Sequence, residues 1–194
     1  MTTFEKAIAL IDQANEADPN VLVVGGVARP KEVVHAEMLT RWVGELLPGA
    51  SEAVLLSARA QHIRRWEHPR GEYPDGRSGY LRWRTQLREF HADLAEPILR
   101  EVGYDAATIE RVRTLIRKRA PANDADAQAM EDGLCLVFME TQFQSLNDRL
   151  ADEKMVDVLR KTWTKMSPAG RAFALALDLP PHHSDLVERA LAGA

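Results

Sequence analysis

Apolar residues recur at intervals of three and four along nearly the whole chain, and this spacing restricts the fold more than any other feature of the sequence. An apolar stripe of this period lines one face of an α-helix, so the pattern predicts an all-α fold. Val21–Val24 could form a short extended segment, but nothing else in the sequence offers it a partner strand. We therefore predict one domain, a helical bundle, over residues 1–194.

Capping residues, prolines and glycines mark where the predicted helices begin and end. Thr2 and Glu5 are spaced as a capping box at the start of the first helix. Pro30 suits the first turn of the second helix, and Pro97 predicts a kink or a break within the fourth. The predicted helices span residues 3–16, 30–47, 51–66, 79–102, 106–119, 124–150, 152–165, 168–178 and 184–192.

The composition is typical of a soluble globular protein, with 194 residues of which 45% are hydrophobic and 28% are charged. No run of about 18 apolar residues is present, and Met1–Glu5 resembles neither a signal peptide nor a transit segment. We expect a cytoplasmic protein without membrane contact. The single cysteine, Cys135, excludes a disulfide within the chain and a thiolate-rich zinc site, and its apolar neighbours predict a buried, inert thiol.

One carboxylate lies beside the most apolar stretch of the sequence. Asp132 precedes Gly133–Met139, and helical spacing places its side chain on the same face as Cys135, Leu136 and Met139. An unpaired buried carboxylate is strongly unfavourable. We therefore expect Asp132 to be exposed, protonated, paired with a cation or bound to a metal ion.

Three of the six histidines fall in three different predicted helices, each on or beside an apolar stripe. Imidazoles from three helices and a carboxylate from a fourth can converge inside a bundle. Such ligands suit a divalent zinc, manganese, iron or nickel ion. We predict the metal ligands His35, His62, His91 and Asp132, and we place His68, His182 and His183 in loops.

Residues 59–88 contain eight arginines, no lysine and three acidic residues, a local charge of +5 in a chain whose net charge is −4. The planar guanidinium group matches phosphate or carboxylate oxygens, so the segment predicts an anionic ligand. The alternative is a solvated arginine surface that is paired with acids elsewhere. The residues predicted to contact the anion are Arg59, Arg65, Arg70, Tyr80, Arg84 and Arg88.

The order of these residues resembles the HD superfamily of metal-dependent phosphohydrolases, whose helical fold uses an early histidine, a His-Asp doublet, later histidines and a late aspartate. Residues 35–43 resemble the helix of the first histidine. Residues 55–63 resemble the doublet helix, with Gln61 and His62 where His-Asp is expected. Glu131 and Asp132 resemble the closing aspartate. The resemblance implies an HD-like bundle, either with one metal ion for which His62 replaces the doublet ligand, or with a pocket that has lost the metal.

A closer resemblance is to the family named domain of unknown function 4202, and it covers most of the chain. This resemblance implies membership of the family but no particular reaction. The segments that carry it are residues 58–66, Tyr73-Pro74 with Gly76, Gly79-Tyr80, Trp83-Arg84, Phe90-His91, Glu131-Asp132 and residues 161–167.

These observations favour a metal-dependent hydrolase of HD type that acts on a small phosphorylated or other anionic substrate, such as a nucleotide. The metal would lower the pKa of a bound water, and Glu67 or Glu131 would be the general base. One alternative is an iron-dependent HD-like oxygenase. The other is a binding protein without catalytic activity, which would hold a nucleotide or RNA through segment 59–88 and the basic helix 111–119.

Overall fold

The computed structural model describes residues 1–143, 146 and 150–192, and most of these residues are helical, as predicted. The part of the predicted sixth helix at residues 144, 145 and 147–149 lies outside the described residues. No helix in the described ranges is both long and apolar enough to cross a membrane. The helices are α1 (Thr3–Asn15), α2 (Lys31–Leu46), α3 (Glu52–Ala60), α4 (Gly76–Glu101), α5 (Ala106–Ile116), α6 (Ala125–Thr141), α7 (Asp152–Trp163), α8 (Pro168–Leu175) and α9 (Pro181–Leu191).

The extended segment does have a partner strand, so this part of the prediction was wrong. Strand β1 (Val21–Val24) pairs antiparallel with β2 (Val27–Pro30). Gly25 and Gly26 form the turn between them with φ values of +58° and +81°, which glycine adopts without steric strain. Strand β2 takes the place of the end of the predicted loop 17–29 and of Pro30, the predicted first residue of the second helix. The register pairs Val21 with Pro30, Leu22 with Arg29, Val23 with Ala28 and Val24 with Val27.

Helix α3 ends at Ala60, well before the predicted end at Trp66. The reason is Arg64, whose φ of +51° is left-handed and cannot continue an α-helix. The Oδ1 atom of the buried Asn15 accepts a hydrogen bond of 2.9 Å from the backbone N–H of Arg64 and so fixes this turn. His62 therefore lies in a turn rather than in the helix that we predicted.

The contacts within the chain define two compact units, Met1–Ala127 and Gln128–Ala194. In the first unit, α1, α3, α4 and α5 enclose an apolar core, and α2 packs on α3. In the second unit, α7 packs on α9. Our prediction of one domain over residues 1–194 stays a prediction. Fully buried core residues include Ile11, Leu56, Ile63, Leu99 and Ile116 in the first unit, and Leu136, Met155 and Leu186 in the second.

The C-terminal histidines lie in a helix and not in a loop, which corrects the prediction. Helix α9 begins at Pro181, three residues before the predicted start, because proline is well suited to the first turn of a helix. The His183 side chain is buried, and its ring stacks on Phe143 with 4.1 Å between the ring centroids. His68, by contrast, lies in the loop before α4, as expected. The Cys135 thiol is buried and reduced, as the sequence predicted.

Candidate metal centre

The first turn of α2 carries two of the residues that form the site. Pro30, which precedes α2, has no side-chain cap to offer, and the carboxylate of Asp18 accepts a 2.9 Å hydrogen bond from the backbone N–H of Glu32 instead. Glu32 and His35 are three residues apart, so they lie on the same face of the helix. Both side chains are buried, with 4% and 5% of their surface exposed.

His62 approaches this pair from the turn after α3. Its Nδ1 atom is 3.6 Å from Oε2 of Glu32, and Nδ1 of His35 is 3.7 Å from the same oxygen. The ring centroids of the two histidines are 6.0 Å apart. One ligand atom from each of the three residues lies within 4.8 Å of the others, which is close enough for one ion to contact all three. We call Glu32, His35 and His62 the metal group.

His91, from the middle of α4, lies beside the metal group. Its ring centroid is 5.9 Å from that of His62. The Nδ1 atom is 2.7 Å from the carbonyl oxygen of Ile63, and because a carbonyl can only accept, Nδ1 carries the proton and donates it. This tautomer leaves a lone pair on Nε2, which is buried and has no hydrogen-bond partner among the described residues.

Burial determines the protonation of these groups. It raises the pKa of Glu32 to about 7, although the nearby Arg65 and Lys31 act in the opposite direction. It lowers the pKa of His35 to about 4 and that of His91 to about 3. Burial, with the nearby charge of Arg65, also keeps the pKa of His62 well below its usual value. The imidazoles are therefore neutral at pH 7, the form that binds metal ions.

The Oε2 atom of Glu32 carries the strongest signal for a cation. It is buried, and no donor within the described ranges gives it a hydrogen bond. Such an oxygen loses its hydration without compensation, which is unfavourable for a carboxylate. A divalent ion would compensate for this loss, and the two histidines supply the other ligands. One carboxylate and two histidines are the protein ligands of some catalytic zinc sites and of non-haem iron sites.

Asp132, the predicted fourth ligand, does not belong to the metal group. It lies in α6, within the second unit, and its carboxylate is engaged there. Oδ1 accepts hydrogen bonds from Nε2 of Gln128 at 3.0 Å and from the backbone N–H of Ser167 at 2.8 Å. Oδ2 accepts a 2.5 Å hydrogen bond from the Ser167 hydroxyl. Asp132 therefore has the partner that burial demands, and this partner is the residue that precedes α8.

Glu32 is the candidate metal ligand that the sequence analysis missed. A signal was present, because Glu32 and His35 form a Glu-x-x-His motif, which supplies metal ligands in carboxylate-bridged helical bundles. The sequence places Glu32 beside Lys31 in the first turn of a helix, a position that is usually exposed. The buried position follows from the cap that Asp18 provides, and that contact joins residues 14 positions apart.

Three of the charged residues predicted to act on the substrate are bonded to other groups of the first unit. Arg59 forms a bidentate pair with Asp12, at 2.6 and 2.5 Å. Arg70 donates to the backbone carbonyl oxygens of residues 73 and 74. Glu67, one of the predicted bases, pairs with Arg64. These contacts indicate structural roles. The other predicted base, Glu131, is half-buried in α6 of the second unit.

Two other predicted anion contacts are oriented by aromatic rings of α4. The Arg65 guanidinium lies over the ring of Trp83, 4.8 Å from its centroid. Arg84 donates a 3.1 Å hydrogen bond to the hydroxyl of Tyr80. Arg88 is half-buried one turn further along α4. The charge of Arg65 lowers the pKa of all three histidines and that of Glu32. Its backbone N–H donates a 3.0 Å hydrogen bond to the carbonyl oxygen of His62, a member of the metal group.

The fold and the site define an all-α protein with a candidate metal centre of one glutamate and two histidines. Residues 5–187 match the family described as Domain of unknown function (DUF4202), and the chain belongs to this family. No curated protein and no solved structure matches the chain. The comparisons therefore confirm the family that the sequence segments resemble and give no support to a relation with the HD superfamily.

Proposed function

We propose that the protein is a metal-dependent hydrolase that acts on a small phosphorylated or other anionic substrate. The observation that carries the proposal is Oε2 of Glu32. This buried oxygen lies within 3.7 Å of Nδ1 of both His35 and His62, and no donor in the described ranges reaches it. Such an arrangement is unfavourable for a protein alone and suits a divalent cation.

The chemistry follows from the ligand number. Glu32, His35 and His62 would hold a zinc, manganese, iron or nickel ion, and three protein ligands leave a position for water. A bound divalent ion lowers the pKa of that water toward neutrality. His91 would accept a hydrogen bond from the water at Nε2, because Ile63 fixes the proton of its ring on Nδ1. Arg65 would attract and neutralise the anionic substrate.

The HD type of this hydrolase is the narrower part of the proposal. It rests on the order of His35, His62 and His91 along the chain, and these three rings form a continuous row with centroids about 6 Å apart. The carboxylate of the metal group precedes the first histidine, however, and Gln61-His62 stands where the His-Asp doublet is expected. We therefore treat the hydrolase activity and the HD type as separable.

An iron-dependent oxygenase is the second candidate, and the ligand set itself favours it. Two histidines and one carboxylate with open positions are the ligands of many non-haem Fe(II) oxygenases. The structure that we describe holds one such group, whereas a di-iron site uses about six protein ligands. A mononuclear iron enzyme is thus the form of this alternative that fits the residues.

The test is metal stoichiometry followed by activity. Chelator-treated protein would be incubated separately with Zn²⁺, Mn²⁺, Ni²⁺ and, without oxygen, Fe²⁺, and then analysed for bound metal. We expect about one ion per chain in the wild type and in the controls Glu37→Gln and His182→Gln, whose side chains lie outside the metal group. Glu32→Gln and His62→Gln should retain little metal.

The loaded protein would then be assayed for phosphate release from a panel of small phosphomonoesters, with oxygen consumption measured in parallel. Phosphate release that depends on metal and is lost in Glu32→Gln supports the hydrolase. Oxygen consumption by the iron form without phosphate release supports the oxygenase. Wild-type protein that binds no ion of the four would overturn both.

A further inference from the structure

Arg65 and Arg84 differ from Arg59 and Arg70, two other half-buried arginines of the group predicted to contact the anion. Arg59 is paired with Asp12, and Arg70 is held by backbone carbonyl oxygens. Arg65 and Arg84 have no carboxylate within ion-pair distance among the residues that the structure describes. Both side chains are nevertheless partly removed from water. Two guanidinium groups in this situation lack the counter-charge that burial normally requires.

The aromatic rings beside the two guanidinium groups are neighbours: the ring centroids of Tyr80 and Trp83 are 5.8 Å apart, and the Arg84 guanidinium lies 5.8 Å from the centroid of Tyr80. Burial lowers the pKa of Arg65, and the positive charge of Arg84 lowers it further, while Glu32 acts in the opposite direction. The two positive charges repel each other unless an anion lies between or beside them. Two acidic groups raise the pKa of Arg65, the phenol of Tyr80 and the carboxylate of Glu32, which we assign to the metal ion.

Aromatic neighbours hold both groups in place without using most of their donors. Arg65 stacks on Trp83, and the indole N–H of Trp83 donates a 2.8 Å hydrogen bond to the carbonyl oxygen of His68. Arg84 uses Nη1 for the Tyr80 hydroxyl. A guanidinium carries five N–H donors, so most of those on Arg65 and Arg84 stay available to a ligand. Stacked, oriented guanidinium groups are typical of oxyanion recognition.

We propose that Arg65 and Arg84 form a site for a doubly charged oxyanion, the phosphate group of a phosphomonoester, and that this site binds phosphate even without the metal. The catalytic meaning of the site rests on the proposed function. The charges favour a dianion over a carboxylate. The two arginines alone sum to +2, so a phosphate dianion neutralises both charges where a carboxylate neutralises one.

The experiment measures the binding of inorganic phosphate to chelator-treated protein by isothermal titration calorimetry, with acetate as the monoanionic comparison. The variants are Arg65→Gln and Arg84→Gln. The matched controls are Arg77→Gln and Arg82→Gln, which remove exposed arginines from the same helix, α4. Loss of a charge-assisted hydrogen bond should raise the Kd for phosphate about tenfold or more in each variant, while the controls stay within about twofold of the wild type.

A third variant, Arg65→Lys, keeps the charge but loses the flat group that stacks on Trp83, so its Kd should lie between those of the wild type and Arg65→Gln. Acetate should bind about tenfold more weakly than phosphate. The proposal is overturned if the wild type does not bind phosphate at millimolar concentration, if both Gln variants bind it normally, or if the controls weaken binding equally. Equal weakening, together with affinity for a single-stranded oligoribonucleotide, would indicate a diffuse basic surface that binds RNA.

Metal analysis of the same variants separates this site from the metal centre. Arg65→Gln and Arg84→Gln should still bind about one ion per chain, because neither residue belongs to the metal group. Normal metal content with no phosphate binding in the wild type would refute the anion site alone. Phosphate binding that depends on Arg65 in a protein that never takes up metal would refute the proposed hydrolase and leave the anion site in place.

Discussion

Oε2 of Glu32 lies 3.6 Å from Nδ1 of His62, although the two residues are 30 positions apart in the sequence. The contact joins the start of α2 to the turn that follows α3. Glu32 is buried and His62 is half-buried, and Oε2 of Glu32 has no hydrogen-bond donor among the described residues. The first prediction concerns the free energy of unfolding that is lost when ionised Glu32 is buried without a cation.

Glu32→Gln is expected to stabilise the metal-free protein at pH 8. The raised pKa of Glu32, about 7 against an ordinary 4.5, means that the folded state binds more protons than the unfolded chain between these values. The free energy of unfolding therefore falls as the pH rises through this window. Glutamine does not ionise, so the variant should be more stable by roughly 2 to 4 kcal/mol at pH 8, with the difference vanishing near pH 4.5.

Urea unfolding at pH 5 and pH 8 in the presence of a chelator measures this difference. Glu37→Gln is the control on the same helix, because a hydrogen bond from Arg29 lowers the pKa of Glu37 and ionised Glu37 is favourable. The Glu37→Gln control should have a lower free energy of unfolding than the wild type at pH 8. A Glu32→Gln variant that is less stable than the wild type at pH 8 would show that Glu32 has a partner which stabilises its charge.

The second prediction is acid lability of the metal-free protein. His35, His62 and His91 have lowered pKa values in the folded state, so below pH 6.5 the unfolded chain binds protons that the folded protein does not. Stability is present above pH 6.5 and is lost as the pH falls. Glu32 offsets one of the three protons, so the steepest loss should be about 2 to 3 kcal/mol per pH unit.

Unfolding curves between pH 7 and pH 5 give this slope. His91→Gln removes one of the three protons and should reduce the slope by about half. The control His182→Gln changes an exposed histidine of α9 and should leave the slope unchanged. A slope near zero in the wild type over this range would mean that the histidines are protonated in the folded protein.

The helical period predicted most of the fold because it reports directly which face of each segment is buried. The helical period did not predict where α3 ends, because the backbone geometry of a single residue determines that end. The left-handed Arg64 ends α3, and its stabilising contact comes from Asn15, which is 49 residues away in the sequence. A pattern within the segment from 51 to 66 holds no trace of that contact, so the turn that presents His62 was not predictable from local sequence.

The third prediction follows from that turn. Asn15→Ala removes the acceptor of the Arg64 N–H inside a buried position and should destabilise the protein by about 1 to 3 kcal/mol. It should also weaken metal binding, because His62 is two residues before Arg64. Asn123→Ala is the control, since it changes an exposed asparagine of the same unit. If Asn15→Ala is destabilised but binds metal with unchanged affinity, then the turn at Arg64 does not position His62 for metal binding.

The candidate site was only partly predictable from the sequence, for a different physical reason. The three histidines lie on apolar stripes, and the fold brings them into one row. Hydrophobic context also marked Asp132 as buried, and it is 2% exposed. The hydrophobic sequence context predicts that a carboxylate is buried, but it does not predict which group binds that carboxylate. A buried carboxylate can be satisfied by backbone N–H groups as well as by a metal ion. The carboxylate of Asp132 is satisfied by a backbone N–H, that of Ser167.

The fourth prediction is that Asp132→Ala lowers stability and leaves metal content unchanged. The substitution removes the acceptor of three hydrogen bonds, two of them from Ser167, and should cost about 2 to 4 kcal/mol. Elemental analysis of this variant beside Glu32→Gln compares the two carboxylates directly. Loss of metal in Asp132→Ala but not in Glu32→Gln would restore Asp132 as the ligand and refute the assignment of Glu32.

The last prediction tests the packing around Asp132 from the opposite side. A Cβ atom on Gly170 would lie 2.6 Å from Cγ of Asp132 and 2.7 Å from its Oδ1, too close for either atom to remain in place. Three hydrogen bonds fix this short side chain, so Gly170→Ala should destabilise the protein by about 1 to 3 kcal/mol. Because both changes disrupt the same contact, adding Gly170→Ala to Asp132→Ala should cost much less than it does alone. A double-mutant cycle by urea unfolding measures this coupling, and fully additive losses would show that Gly170 does not touch Asp132 in solution.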